Sequence, residues 1–408
     1  MVLRFCIVLP LFFLTGTTFA QGVDLSGEEI TAFGENSSTH VLASPWYRNI
    51  HISGFGAVSF FDLGADTAQP NGGFVIKDAA LFVDAKAWED ISFFFEIQTN
   101  ILLRDEDTSL RTGEVYAHFR NVLKKWGDNL LGVKIGRVDI PFGEEYLWTD
   151  SADNPMISHA VGFPWLWDEG IVLYGKLRGV GWVASVTDGT MERSVDDHPS
   201  KAFTAKIYGT PWKPLYLSSS FMRNGKTDMS ALYLGDVCIQ PVGTNVHGRE
   251  VPSSLGASAS EKVAANLYEI DATCRFSDAA ELVLSLGHAF IDDADNAFDR
   301  KLTWFSVQPR YNLPKGIYII LRYSEFGTYD SDKGYLIDGG FLMDGRRTFG
   351  YDANRLQRFS AGAGWKLNPR TTIKLEAGRD RFEVIDGSPI DPSDDSRGFL
   401  GFELTQSF

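Results

Sequence analysis

The sequence predicts an all-β fold, a sixteen-stranded antiparallel transmembrane β-barrel. Three observations carry it. Sixteen segments have the period-two character of strands with one apolar and one polar face. Their connections alternate between short and long along the whole chain. The last segment places Leu400, Phe402, Leu404 and Phe408 on one face and Gly401, Glu403, Thr405 and Ser407 on the other, and it ends on an aromatic residue.

The elements follow in order. Residues 1–20 hold one positive charge (Arg4), an apolar run over 5–14 and the small residues Thr18 and Ala20, which is the pattern of a secretory signal peptide. The run is shorter than the roughly 18–20 residues of a membrane-spanning helix. Residues 21–48 are polar and aperiodic and are expected to form a periplasmic N-terminal extension. The barrel is expected over 49–408, with strands at 50–61, 74–87, 91–100, 113–122, 130–140, 170–177, 180–188, 201–209, 215–223, 262–276, 280–291, 302–312, 316–326, 356–367, 371–379 and 398–408.

Seven short connections, such as Trp88-Glu89-Asp90, Arg178-Gly179 and Asn368-Pro369-Arg370, carry turn-forming residues. Eight long ones alternate with them. An even-numbered barrel with short periplasmic turns and long external loops has this arrangement. Trp88, Trp126, Trp212, Tyr311 and Trp365 lie at or beside short connections, where an aromatic girdle is expected.

Composition agrees. The chain has 40 Gly, 30 Phe, 14 Tyr, 10 Trp, only 3 Cys and a formal net charge of −15. Such acidity argues against nucleic-acid binding, which wants a basic surface. Cys238 and Cys274 are expected to be free thiols, one in an external loop and one near the periplasmic rim.

Sixteen strands enclose a lumen, and mid-strand charges must face it, because an ionised group facing lipid costs roughly 2–4 kcal/mol near the midplane. Parity places Asp78, Asp84, Lys86, Glu96, Glu114, His118, Arg120, Lys134, Lys206, Glu269, Asp271, Arg275, Arg310, Arg322, Arg358, Lys374, Glu376 and Glu403 inside. Arg137 breaks parity with Val133 and Ile135, which points to a rim position or a bulge.

The connection 141–169 is rich in aromatic and aliphatic residues, so it is expected to fold into the lumen as a constriction. Glu144, Glu145, Asp150 and Asp153 are then expected to face wall cations such as Arg120 and Lys134. A transverse field of this kind sets ion preference. Arg275, Arg310, Arg322 and Arg358 complete the expected pore lining.

Gly136-Arg137-Val138-Asp139-Ile140-Pro141-Phe142-Gly143, followed by a long aromatic loop, resembles the strand-to-loop junction of the phosphate-selective porin O and P family. Asn49-Ile50-His51-Ile52-Ser53-Gly54-Phe55-Gly56 is similar too. The resemblance implies a sixteen-stranded, trimeric porin. It does not carry phosphate selectivity, because the arginines here are scattered among carboxylates rather than arranged as a ladder.

The functional expectation is a water-filled outer-membrane channel for passive diffusion of small hydrophilic solutes and ions, in a Gram-negative-type cell, with outer-membrane lipid and lipopolysaccharide around it and no cofactor. The alternatives are a phosphate- or polyphosphate-selective anion channel, and a plugged barrel acting as a surface adhesin or hydrolase. Enzyme signatures are weak: the seven histidines have no HExxH or paired spacing. Asp293 and Asp295 lack the later ligands of a calcium loop.

Overall fold

The computed structural model describes residues 49–62, 72–100, 109–148, 150–162, 167–189, 200–228, 262–293, 300–328, 335–337, 349–384 and 396–408, with two short ladders in the 229–261 connection. The leader, the 21–48 extension and the acidic loop positions Asp196, Asp197, Asp295, Asp299, Asp386, Asp391, Asp394 and Asp395 lie outside the described residues.

Sixteen long strands follow in order: β1 (Ile50–Asp62), β2 (Gly73–Trp88), β3 (Ile91–Asn100), β4 (Ser109–Phe119), β5 (Gly132–Asp139), β6 (Trp167–Leu177), β7 (Val180–Thr187), β8 (Ala202–Trp212), β9 (Leu215–Asp228), β10 (Lys262–Arg275), β11 (Ala280–Asp293), β12 (Arg300–Asn312), β13 (Ile317–Thr328), β14 (Phe349–Asn368), β15 (Thr371–Val384) and β16 (Ser396–Ser407). Each pairs antiparallel with its sequence neighbours. β16 also pairs with β1 from Phe55↔Ser407 to Asp62↔Leu400, so the sheet closes into a barrel without a free edge. A three-residue strand, Tyr335–Ile337, adds to β14. No helix among the described residues is long and apolar enough to cross a membrane.

The two faces of the sheet differ as the alternation requires. Outward positions are large and apolar around the whole circumference: Phe74, Leu81, Ile135, Leu173, Ile207, Ile270, Leu286, Leu321, Leu375 and Phe402 are all exposed. At the short-turn end Trp88, Trp126, Trp212, Tyr311 and Trp365 are exposed as well. Inward positions are mostly buried, and they mix polar or small residues with large apolar ones such as Phe61, Trp304, Tyr318, Ile320 and Phe326. In β16, Gly401, Glu403 and Thr405 are buried while Phe402 and Leu404 are exposed. An outer surface so apolar is satisfied by lipid, not by water.

Three departures from strict alternation shape the lumen. A bulge in β2, where Ala57 faces Asp78 but Val58 faces Ile76, turns both Lys77 and Asp78 inward. Parity alone assigns only Asp78. A second irregularity sets Glu96 of β3 against Gly113 and Glu114 of β4. A third, between Lys86 and Trp88, leaves Lys86 exposed rather than in the expected lumen wall.

The connection between β4 and β5 is 120–131, longer than the short turn expected at 123–129. Asn121 and Asn129 adopt φ of 51° and 56°, so β4 ends early and β5 begins late. Arg137 lies between the two expected alternatives. It stays on the outward face, beside the positive-φ Gly136, and is neutralised by Glu169 at 3.2 Å. Cys274 in β10 is a free thiol.

Candidate functional site

The connection leaving β5 crosses the lumen. It turns inward at Pro141-Phe142-Gly143, forms a 3-10 turn at Glu145–Trp148 and continues through 150–162. Gly143 needs its φ of 68°, and a Cβ there would collide with a carboxylate oxygen of Glu269. Its N–H donates to Ser220 Oγ at 3.0 Å, and its carbonyl accepts from Lys206 Nζ at 2.6 Å. Further on, the loop reaches β13, half the circumference from β5. Tyr318 OH donates to the Pro155 carbonyl at 2.8 Å, and Val161 N–H donates to Ser324 Oγ at 3.2 Å. Gly162 packs so tightly on Trp304 and Phe326 that a Cβ would collide with the Phe326 ring.

Apolar contacts explain why so oily a loop is stable inside a barrel. Met156 packs with Tyr318 and Ile320, and Ile157 packs with Phe61, Val75 and Phe399. Polar contacts fix the register. The Glu376 carboxylate accepts from Ile157 N–H, Ser158 N–H and Ser158 Oγ. Lys77 Nζ donates to the Ile157 carbonyl at 2.7 Å, Arg322 Nη1 to the Ser158 carbonyl at 2.7 Å and Arg358 Nη1 to the His159 carbonyl at 3.2 Å. Lys374 Nζ donates to the carbonyls of Ser151 and Met156.

The two walls that the loop joins are chemically different. On β13–β16, the Arg358 guanidinium makes a two-pronged pair with Asp380 at 2.7 and 2.8 Å. Glu403 is held by Lys374 at 2.7 Å and by Lys77, from β2 on the far side of β1, at 3.1 Å. On β2–β5, carboxylates follow one another: Glu96 accepts from Gln98 and from Glu114 N–H, and Glu114 accepts from Asp139 N–H at 3.0 Å. Asp78 accepts from Ser151 N–H at 3.1 Å, next to Asp150. Among the described residues, no cation lies within ion-pair distance of Asp78, Glu96, Glu114, Asp139 or Asp150.

The expected lining residues divide by location. Arg322 and Arg358 are buried beneath the loop. Glu144 meets Lys206 at 2.8 Å and the Tyr216 hydroxyl at 2.7 Å, and Glu145 meets Arg322 at 3.8 Å and Ala160 N–H. Wall cations such as Arg120 and Lys134 were expected to face these two, along with Asp150 and Asp153. Arg120 instead lies just past β4 and faces Asp84 at 3.6 Å, and Lys134 sits 4.3 Å above the Tyr116 ring. The loop reaches past its own side of the barrel, so its acids meet more distant strands. Asp150 and Asp153 form a turn, with Asp153 N–H donating to the Asp150 carbonyl. Arg310 stacks 4.4 Å from Tyr318. Arg275 pairs with Glu281 at the short-turn rim, away from the loop. Lys77, Lys206, Asp380 and Gln308 also hold the machinery together. Parity finds Lys206, whereas Lys77 needs the bulge to be seen.

Electrostatics within the loop follow from this packing. Burial, reinforced by the charges of Asp78 and Glu96, pushes the Asp150 carboxyl well above the usual carboxylate range. Burial and the surrounding Lys77, Arg322 and Arg358 hold His159 well below its ordinary value, so its ring is neutral. Burial raises the Tyr146 hydroxyl to about 12. No group of three or more His, Cys, Asp or Glu residues suited to a metal ion occurs among the described residues. His118 Nε2 lies 2.5 Å from the Tyr174 hydroxyl, but its Nδ1 has no partner, so the orienting contact of a catalytic triad is missing there.

The chain thus has the fold of outer-membrane β-barrels, a closed barrel of sixteen antiparallel strands with a loop folded into the lumen. No family model matches it, and no curated protein sequence matches it. Solved structures do. OmpT, an outer membrane protein of Vibrio cholerae, superposes with a TM-score of 0.55 at 9% identity, covering 88% of this chain and 97% of that one. An anion-selective porin from Comamonas acidovorans matches with a TM-score of 0.54 at 11% identity, covering 88% and 99%. OprB of Pseudomonas putida matches with a TM-score of 0.54 at 10% identity, covering 88% and 94%. At such identities the likeness is one of fold.

Proposed function

We propose that this chain is an outer-membrane porin, a narrow diffusion channel for small hydrophilic solutes that favours cations over anions. One observation carries the preference. Every buried inward cation that contacts the loop is already engaged: Lys77 and Lys374 with Glu403, Lys206 with Glu144, Arg358 with Asp380, and Arg322 with Gln308, Ser158 and Glu145. On β2–β5, Asp84 pairs with Arg120, but Asp78, Glu96, Glu114 and Asp139 have no such partners among the described residues. The field left over on a permeating ion is therefore negative.

The resemblance to the phosphate-selective family and the likeness to porin structures support the channel. They do not support a phosphate pathway, since no row of unengaged arginines lines the wall among the described residues. The homotrimer implied by the resemblance agrees with a solved trimeric form of the Vibrio cholerae barrel.

Reversal potential across a planar bilayer, under a tenfold potassium chloride gradient, tests both parts. Discrete current steps are expected, with a potential of the sign set by potassium permeation. Glu96→Gln with Glu114→Gln is expected to move that potential toward zero. Open steps with a chloride-signed potential would refute the cation preference and leave the channel standing.

A plugged barrel is the second reading. The observation in its favour is the near-complete burial of the inward side chains, Glu403, Ser59 and Arg358 at 0% exposure among them. A silent bilayer from a protein that shows heat-modifiable gel migration would select it, and surface binding or hydrolysis would then be the activities to assay.

A further inference from the structure

The outer face of β13–β16 changes character at one level. Below it the outward residues are apolar: Ile319 and Leu321 on β13, Trp365 on β14, Leu375 on β15, and Leu400, Phe402 and Leu404 on β16. Above it they are polar: Glu325, Gln357 and Arg355, Arg379, Arg381 and Glu383, and Ser396. The boundary runs straight across the sheet, because Arg379 is in register with Phe359 and Gly398, and Arg381 with Gln357 and Ser396. Parity leaves no alternative for the two arginines. Asp380 between them points inward to Arg358, so Arg379 and Arg381 point outward.

Their height is informative. Ten residues separate Thr371, at the short-turn end, from Arg381. At ~3.3 Å per residue and a tilt of ~40°, that is about 25 Å, the height of the apolar band of an outer-membrane barrel. Arg379 and Arg381 thus stand where hydrocarbon gives way to the headgroups of the outer leaflet.

Their partners are informative as well. Both nearby carboxylates are engaged elsewhere: Arg355 pairs with Glu383 and, at 3.4 Å, with Glu325, which also accepts from Gln357 and Tyr323. Arg379 donates to Ser396 Oγ at 2.6 Å, which orients it without neutralising it. Both arginines are exposed, and neither has a carboxylate partner among the described residues. Two guanidinium groups on alternate residues of one strand lie ~7 Å apart, a spacing that suits forked contacts to phosphate oxygens.

We propose that Arg379 and Arg381, with Ser396 beside them, bind a phosphorylated lipid headgroup of the outer leaflet. The proposal rests on the membrane setting of the barrel and not on conduction.

The test uses the refolded full chain. Native mass spectrometry counts bound lipid after incubation with lipid A, a phosphorylated disaccharide lipid, or with its dephosphorylated form. The wild type is expected to retain the phosphorylated lipid, and Arg379→Gln with Arg381→Gln to bind it about tenfold or more weakly, since two charge-assisted contacts are lost. The Arg379→Lys, Arg381→Lys variant, which keeps the charge but not the fork, is expected to fall between. Lys124→Gln, at the opposite rim, serves as an unchanged control. Heat-modifiable migration shows that each variant is folded.

Equal retention of the dephosphorylated lipid, or unchanged binding in the double glutamine variant, would overturn the proposal. So would a change in oligomeric mass with lipid binding intact, which would assign the patch to a second copy of the chain. Failure of the wild type to float with plain phosphatidylcholine vesicles would instead strike the membrane setting itself.

Discussion

The β2–β5 wall and the β13–β16 wall are built from the same ionisable residue types and end in opposite electrostatic states. On β13–β16 nearly every charge has a partner, and the loop's carbonyls take the remaining donors. On β2–β5, Glu96, Glu114 and Asp139 are linked through backbone N–H groups, which orient a carboxylate without cancelling its charge. The comparison teaches that charge counts along a barrel do not give the field in its lumen. Pairing does, and pairing is set by which wall the loop docks on.

The largest effect should come from Glu376, where three loop donors converge. Glu376→Ala is expected to lower unfolding free energy by roughly 4 kcal/mol or more, at ~1.5–3 per hydrogen bond to a charged group. Guanidinium titration of the vesicle-inserted protein measures this, and open-channel noise should rise in the same variant. Next is Arg358→Met, which strands Asp380 in the wall and should cost about 3–5 kcal/mol. Replacing Asp380 by Leu in that background should recover most of the loss. If it does not, the wall is not stabilised by that pair.

Asp150 gives a smaller, pH-dependent effect. Its carboxyl binds its proton more tightly in the packed loop than in the unfolded chain, so its stabilising contribution is complete below the ordinary carboxylate value and is lost as pH rises through the raised one. Asp150→Asn should therefore stabilise the protein at pH 7, with the gain shrinking toward pH 4. His159 has the opposite sign. Its value is lowered by packing, so stability falls as pH drops below about 6.5, the imidazole's unperturbed value. Acidifying the Asp150→Asn variant should expose that loss without the opposing contribution of Asp150.

Glu96→Gln with Glu114→Gln should change stability by ~1 kcal/mol in the favourable direction, because like charges are relieved while each backbone donor keeps an acceptor. The smallest effect belongs to the rim pair Arg275–Glu281. It is half-exposed on the arginine side, and Glu281→Gln should cost at most about 1 kcal/mol and leave reversal potential unchanged.

Much of this was legible in the residues. The period-two runs fixed sixteen strands because a residue facing lipid and a residue facing a lumen must differ, and a slip of one position would exchange them. The alternation of connections set the antiparallel closure, and the oily 141–169 segment announced that it would not remain in solvent. Limits appear at particular positions. Lys77 enters the lumen only through a bulge, which has no period of its own. Asn121 ends β4 early and Asn129 delays the start of β5 by adopting a left-handed backbone that many residues would refuse.

The sequence by itself determined the barrel, its lumen and the loop that enters it, because these follow from local alternation, turn chemistry and the cost of exposing charge to lipid. Only the tertiary structure decided that Glu144 meets Lys206 and Glu145 meets Arg322, rather than wall cations such as Arg120 and Lys134, and that Glu376 receives the loop. Those pairs join residues far apart in the chain. Their choice depends on how far the loop reaches across the closed ring, a distance that no periodicity encodes.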